Sequence, residues 1–326
     1  MTIHRRRFVK LVSSGVLAGL TLPLPAASSG DSLRSSLPRI GGESTALRSR
    51  GGILLGGRGD FSRLRGDVGI YTARGGTIGW LVNEEGIAVV DAQFPDTATT
   101  FLAELPGRAN RALDVLINTH HHADHTAGNE VFRGETRGIV AHRRARELHE
   151  ASGGDRPPRG LADTAFDGQW RIRIGGEQVV ARHLGPAHTG GDCIVRFEQA
   201  NVIHMGDLVF NRAYPFIDRD SGASILGWLE ILETVASEAD ADTLFIFGHA
   251  REGYGVTGDR DDVLAQADFF SALLGEAGRA IREGRSRDQL MAVESIPGFP
   301  DHRPVAQRLS AGLALATAYD ELTGAG

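Results

Sequence analysis

An α+β fold, with two sheets and helices on their outer faces, is what this 326-residue sequence predicts. Three observations carry that expectation. Short β-rich runs separated by glycine-bearing turns alternate with longer segments of helical apolar spacing. The order strands, helix, strands, helix occurs twice along the chain. Apolar residues make up 41% of the sequence and charged residues 23%, a soluble globular composition long enough to bury a sizeable core. The one cysteine, Cys193, excludes an intrachain disulfide and a cysteine-based zinc site.

Residues 1–28 read as an export signal. Arg5, Arg6, Arg7 and Lys10 precede an apolar run from Leu11 to about Ala27, which ends on small residues. The run is short and interrupted by Gly15, Gly19, Pro23 and Pro25, which argues against a stable membrane anchor. Arg5-Arg6 with Phe8 and Lys10 resembles a twin-arginine signal, which implies the twin-arginine export machinery as a partner and a periplasmic or secreted mature protein. Removing residues 1–28 takes away four cations and no anion, so the formal charge moves from −6 to −10. A chain that acidic is a poor partner for nucleic acid or an anionic membrane surface. Lysine is absent after Lys10, which excludes Schiff-base and P-loop lysine chemistry from the body of the protein.

Residues 29–60, rich in Gly, Ser and Arg, read as a flexible linker. From Phe61 the elements follow in order. Strands are expected over Asp67–Ala73, Thr77–Val82 and Ile87–Asp91, a helix over Thr97–Leu105, and a buried strand over Val115–Asn118. A strand at Gly138–Ala141 leads into a helix over His142–Ala151, and the loop 152–163 follows. Strands are expected at Trp170–Ile174, Gln178–His183, Cys193–Phe197 and Val202–Met205, then a helix over Ile225–Ala236 and a last strand at Leu244–Phe247. Beyond Asp261 the pattern is helical, through Ala280 and again over Val305–Leu322. The segment 276–326 reads as a C-terminal helical extension.

The chemistry-bearing segment is Asn118-Thr119-His120-His121-His122-Ala123-Asp124-His125, directly after a buried strand. Imidazoles and carboxylates are natural ligands of zinc and similar divalent ions, and a loop at a strand end can turn them toward two neighbouring metals. Further candidates stand after apolar runs with glycine nearby. They are His188 in Gly185-Pro186-Ala187-His188-Thr189-Gly190-Gly191-Asp192, Asp207 after Met205-Gly206, and His249 after Phe247-Gly248. His121 alternates with the ligands and is expected to point away. His183 and His204 are expected in the core or behind a ligand. Tyr214 and Tyr254 are candidates for a substrate wall, with core packing as the alternative for each. Cys193 reads as a small buried hydrophobe.

This set resembles the metallo-β-lactamase-fold superfamily of metallohydrolases. The His-x-His-x-Asp-His cluster, the Gly-x-x-His-Thr-x-Gly-Asp segment, the Gly-Asp and the Gly-His occur in the family's order over roughly residues 61–275. The resemblance implies a four-layer αββα sandwich with the site at one edge of the two sheets. It implies one metal on His120, His122 and His188, a second on Asp124, His125 and His249, and a bridge at Asp207. Asp91, at the end of its strand, would orient a ligand histidine.

Two divalent ions about 3.5–4 Å apart, most simply zinc with iron or manganese possible, can share a hydroxide of near-neutral pKa that attacks a carbonyl or phosphoryl centre. Asp124 is the catalytic candidate, orienting that group or taking its proton. The expected activity is hydrolysis of an ester, thioester, lactone or related bond of a small molecule. Three rival readings stay open: an iron-dependent sulfur dioxygenase, a non-enzymatic exported metal-binding accessory protein, and a β-lactamase. The bridging Asp207 points away from the last, because dimetal β-lactamases usually lack it. Phe210 stands where the lactonase branch places a tyrosine.

Overall fold

A computed structural model describes residues 59–154 and 158–325. The export signal at 1–28 and nearly all of the linker at 29–60 therefore lie outside the described residues.

The first sheet has seven strands in spatial order equal to their sequence order: β1 (Asp60–Arg65), β2 (Val68–Thr72), β3 (Ile78–Val82), β4 (Ile87–Val90), β5 (Val115–Asn118), β6 (Ile139–His142) and β7 (Thr164–Phe166). The strands β1 to β4 pair antiparallel, and β4 to β7 pair parallel. The parallel half carries its crossovers as helices: α1 (Pro95–Glu104), α2 (Ala123–Thr126), α3 (Asn129–Phe132) and α4 (Arg143–Ser152).

The second sheet runs β15-β13-β11-β10-β9-β8, from β8 (Gln169–Ile174), β9 (Glu177–Arg182), β10 (Ile194–Phe197), β11 (Val202–His204), β13 (Leu244–Ile246) and β15 (Thr257–Gly258). A two-stranded pair, β12 (Phe210–Asn211) with β14 (His249–Ala250), stands beside it. The helices α5 (Ile225–Glu238), α6 (Arg260–Arg282), α7 (Arg287–Met291) and α8 (Ala311–Thr323) complete the described residues.

The side-chain period of two sorts these strands into layers. Ala88 and Val90 of β4 face the second sheet, where they share a core with Val179, Val195 and Val202. Their neighbours Ile87 and Val89 face outward and pack with Phe101 and Leu102 of α1. On the second sheet Val202 and Ile246 point inward, whereas Ile203 and Phe245 join a core with α5, α6 and α8. The result is helix, sheet, sheet, helix, an αββα sandwich. Strands buried on both faces explain why they read as continuous apolar runs.

Several sequence expectations shift. Leu244–Ile246 is not the last strand, since β14 and β15 follow it, and β7 and β12 stand where no strand is expected. The strand β1 stands at the edge of the first sheet and is not expected from the sequence, because Asp60, Ser62, Arg63 and Arg65 interrupt any apolar run. The expected helix over 305–322 starts only at Ala311, where the Ser310 hydroxyl accepts from the Leu313 N–H as N-cap. The expected boundary at residue 275 falls inside α6, whose Leu273, Leu274, Ala277 and Ala280 share one core with Leu315 and Ala318 of α8. The C-terminal helices are thus part of the outer layer, not an appendage.

One helix matters most for the site. Ser224 caps α5 by accepting from Gly227 N–H, and Trp228, Leu232 and Val235 form its buried stripe. Trp228 is fully buried, donates from Nε1 to the Leu208 carbonyl at 2.9 Å, and lies 5.5 Å from the His188 ring. Truncating it to alanine should cost about 3–5 kcal/mol.

Candidate metal centre

Each candidate side chain leaves the end of a strand. Asp91 follows β4 and the histidine cluster follows β5, two neighbouring parallel strands. Asp207 follows β11 and His249 follows β13, again a parallel pair. His188 stands in the turn after β9. Parallel strands end on the same side, so residues scattered over more than 150 positions converge on one edge of the sandwich. Cross-sheet hydrogen bonds lock that edge. Thr77 N–H donates to Gly248 O at 3.1 Å, and Cys193 N–H donates to Thr119 O at 2.8 Å.

The seven expected ligands fall into two of three close groups of ligand-type side chains among the described residues, the third being His121, His122 and Asp218. His120, His122, His188 and Asp207 make one, and Asp124, His125 and His249 make the other; within each group the atoms lie within 4.8 Å of one another. His188 Nε2 is 2.9 Å from His122 Nδ1. His249 Nε2 is 3.1 Å from Asp124 Oδ2. Asp207 reaches both groups, with Oδ2 at 3.8 Å from His120 Nε2 and 3.5 Å from His188 Nε2. Its Oδ1 is 2.9 Å from His125 Nε2, and its Oδ2 is 3.4 Å from His249 Nε2.

Whether these residues fit divalent cations can be read from their unused valences. Of eleven buried side-chain polar atoms without a hydrogen-bond partner among the described residues, three meet at this centre: His120 Nε2, His125 Nε2 and Asp207 Oδ1, the last two close in distance but not in hydrogen-bond geometry. Buried polar atoms are normally paired, and leaving one unpaired costs about 1–3 kcal/mol. Three such atoms aimed at one another fit a cation pair.

The opposite ring nitrogens are held. His120 Nδ1 is 3.0 Å from the Thr119 hydroxyl, which itself donates to Asp91 Oδ2 at 2.8 Å. His125 Nδ1 lies 2.7 Å from Asp91 Oδ2, and Thr119 N–H donates to Asp91 Oδ1 at 2.8 Å. Asp91 adopts φ 65°, a left-handed backbone that aspartate tolerates better than most residues. His188 Nδ1 donates to the Phe216 carbonyl at 2.7 Å, and His122 Nε2 pairs with Asp218 Oδ2 at 2.8 Å. An imidazole whose one nitrogen donates to the protein presents the other as a lone-pair donor.

Electrostatics separates the groups. Burial drives His120 well below the usual histidine range, and neighbouring His125 adds to it. Burial and His122 bring His188 down to about 3. In the second group burial opposes charging, but Asp207, Asp124 and Asp91 outweigh it and raise His125 well above the usual value. His249 is likewise raised to about 9 against its burial, by Asp207 and Asp124. Burial would raise Asp124, yet His125 and His249 hold it at about 2. Asp207 is held well below the carboxylate range by His249 and His125, against the effect of burial.

The structure therefore brings together His120, His122, Asp124, His125, His188, Asp207 and His249, with Asp91 behind His125. It does not bring Tyr214 to the site. Tyr214 is buried in the helix-side core near Phe269 and His302, so its substrate-wall reading is replaced by packing. Tyr254 is exposed on the surface beside Arg212 and Arg251. His121 turns from the centre toward the Ser221 hydroxyl, at 3.3 Å. His183 stacks on His142 at 3.8 Å, and His204 Nε2 donates to Thr77 O at 3.0 Å. Asp218, Thr119 and the Phe216 carbonyl are the functional groups that sequence reasoning misses. Asp218 lies 96 positions from the histidine it contacts, and no spacing signal marks it. Two glycines also shape the centre. A Cβ at Gly76 would stand 2.1 Å from the His125 ring, and one at Gly248 would stand 2.0 Å from Asp207 Oδ1.

Comparison with known proteins adds four findings. A family model described as the metallo-beta-lactamase superfamily matches residues 71–249. A hydroxyacylglutathione hydrolase of Methylococcus capsulatus is 27% identical over 237 residues, spanning 72% of this chain and 86% of that protein. Among solved structures, a double mutant of the sec-alkyl sulfatase PisA1 superposes with a TM-score of 0.63 at 14% identity, over 82% of this chain and 50% of the sulfatase chain. This chain thus spans half the length of the sulfatase. A metallo-beta-lactamase from Pontibacter korlensis gives a TM-score of 0.55 at 19% identity, over 66% of this chain and 99% of that one. Both structural likenesses speak to the fold.

Proposed function

The chain belongs to the metallo-β-lactamase superfamily and is a metal-dependent hydrolase, and from that premise we propose that it uses two divalent cations, zinc in the simplest case, to cleave an acyl bond of a small molecule. The observation that carries the dinuclear reading is Asp207, one buried carboxylate reaching His120 and His188 on one side and His125 and His249 on the other. His120, His122 and His188 would hold one cation, and Asp124, His125 and His249 the other. When bound, such a pair lowers the pKa of a shared water and polarises the carbonyl under attack.

The chain's own residues do the rest. Asp207 supplies negative charge between the two groups. Asp91 and Thr119 hold His125 and His120 in the orientation that aims their free nitrogens inward. Asp124 is the most exposed carboxylate of the centre, at 30%, so it can meet the attacking water and accept its proton. The likeness to a hydroxyacylglutathione hydrolase supports acyl thioesters as the first candidate substrates, ahead of esters and lactones.

The test is to strip the purified chain of metal, restore zinc, manganese or iron singly, and assay a panel of thioester, ester, lactone and β-lactam substrates. Two cations per chain with thioester or ester hydrolysis is the expected result. Oxygen consumption with a sulfur substrate, seen only in the iron form and without hydrolysis, would overturn it. We further propose export of the mature protein to the periplasm, directed by residues 1–28. Lysine in place of Arg5 and Arg6 should block it; normal periplasmic levels of that variant would rule out the twin-arginine route.

A further inference from the structure

The turn after Phe216 is tied to the centre more closely than a surface turn needs to be. His122 Nε2 and Asp218 Oδ2 are 2.8 Å apart, and the Asp218 side chain is only 13% exposed. The same residue reaches a second ligand, since its backbone N–H donates to the His188 carbonyl at 3.2 Å. Ser221 N–H donates to Asp218 Oδ1 at 3.3 Å and Ala223 N–H donates to its backbone oxygen at 3.0 Å, so the carboxylate is itself fixed.

A residue far along the chain anchors this turn. Arg219 Nη1 lies 3.2 Å from Glu321 Oε2, on α8. Glu321 is nearly buried and accepts three more hydrogen bonds where α5 begins: from the Ser224 hydroxyl at 3.1 Å, Ile225 N–H at 2.8 Å and Leu226 N–H at 3.1 Å. Four polar contacts thus join the C-terminal helix to the segment that carries Asp218.

We propose that Asp218 is a positioning residue of the first cation pocket, holding His122 with Nδ1 inward, and that Glu321 makes the C-terminal helix part of that pocket's support. A carboxylate that accepts from Nε2–H selects the tautomer in which Nδ1 carries the lone pair, and its charge makes that nitrogen a stronger donor. Asp91 stands in the same relation to His125 on the other side. Each pocket thereby owns one carboxylate–histidine pair, although the two carboxylates come from opposite sheets' connections. The proposal rests on the metal reading of the site.

The test is titration of the metal-free full-length chain with zinc and with cobalt, whose absorption spectrum reports ligand geometry. Asp218→Ala should weaken the first cation by about 10–100-fold and change the cobalt spectrum, with the metal-free melting temperature little altered. Asp218→Asn keeps an acceptor oxygen without the charge, and should fall between that variant and the wild type. Glu321→Ala should weaken the first cation several-fold and the second less. Wild-type affinity and spectrum in Asp218→Ala would overturn the positioning role. A lower melting temperature in Glu321→Ala with unchanged affinity would overturn the support role. A wild-type chain that binds neither cation would instead overturn the metal reading itself.

Discussion

The two halves of the metal centre are built on different electrostatic plans. Around His120, His122 and His188 the donors are imidazoles, and burial keeps His120 and His188 uncharged far below neutral pH. Around His125 and His249 the imidazoles face Asp124 and Asp207, and those carboxylates raise both of them, His249 to about 9. The first half offers lone pairs that are already free, so its affinity depends on geometry. The second half is an ion-pair cluster, and a cation enters it by displacing protons. The comparison teaches that one carboxylate, Asp207, cannot be assigned to either half. It neutralises the second and completes the first.

Breaking the first half should have the largest effect. His120→Ala removes a buried donor with no substitute among the described neighbours. Metal content and hydrolysis should fall together, by more than the roughly 100-fold upper range for losing an outer hydrogen-bond partner. Full activity with two cations, measured by elemental analysis and assay on one sample, would contradict the ligand assignment.

Asp207→Asn should separate the halves. An amide offers one good acceptor and no charge, while two cations about 3.5–4 Å apart repel. The three imidazoles should retain the first cation, leaving about one per chain, with reduced hydrolysis and an intact fold. If Asp207 served only the Gly206 turn, the variant would melt lower and keep both cations. Stoichiometry and a melting curve on the same preparation distinguish these outcomes.

A smaller and one-sided effect is expected at Gly76. Its substitute Cβ would press on the His125 ring at 2.1 Å, and Asp91 holds that ring from behind. Overpacking of this kind costs about 1–3 kcal/mol. If it falls on His125, Gly76→Ala should weaken the second cation by roughly 5- to 150-fold and spare the first. Equal weakening of both, in a zinc titration, would show that the halves are not independent.

The gentlest probe is pH. His249 is raised to about 9, so below that value it holds a proton which a cation must displace. Second-cation affinity should therefore rise with pH through the neutral range, about tenfold per unit for each proton displaced from His249 and His125, and the His249 contribution should level off above about 9. First-cation affinity should change little from pH 6 to 8, because His188 stays uncharged down to about 3. Parallel slopes for the two cations in calorimetric titrations would erase the contrast.

Most of the candidate site is legible in the amino-acid sequence. Seven ligand-type residues can be named because five sit in two short segments and the others follow apolar runs directly. Asp91 is legible for the same reason, standing at the end of its strand. What the sequence does not display is everything that acts across the chain. Tyr214 reads as a neighbour of the site because it follows Asp207 by seven positions, yet the turn carries it into the core with Phe269. The expected boundary at 275 follows the extent of the family resemblance, but α6 runs through it and packs against α8.

By itself, the sequence determined the ligand types, their order and the strands that present them, because those depend on local periodicity and on turns a few residues long. Tertiary structure decided which nitrogen faces inward for four of the five imidazoles, His120, His122, His125 and His188. That choice rests on Asp91, Thr119, the Phe216 carbonyl and Asp218, and three of the four rings find their partners at least 28 positions away. A hydrogen bond of 2.7–2.8 Å has no period and no propensity; it exists only once distant segments have met, neighbouring strand ends for Asp91 and His125 and the edges of the two sheets for His122 and Asp218.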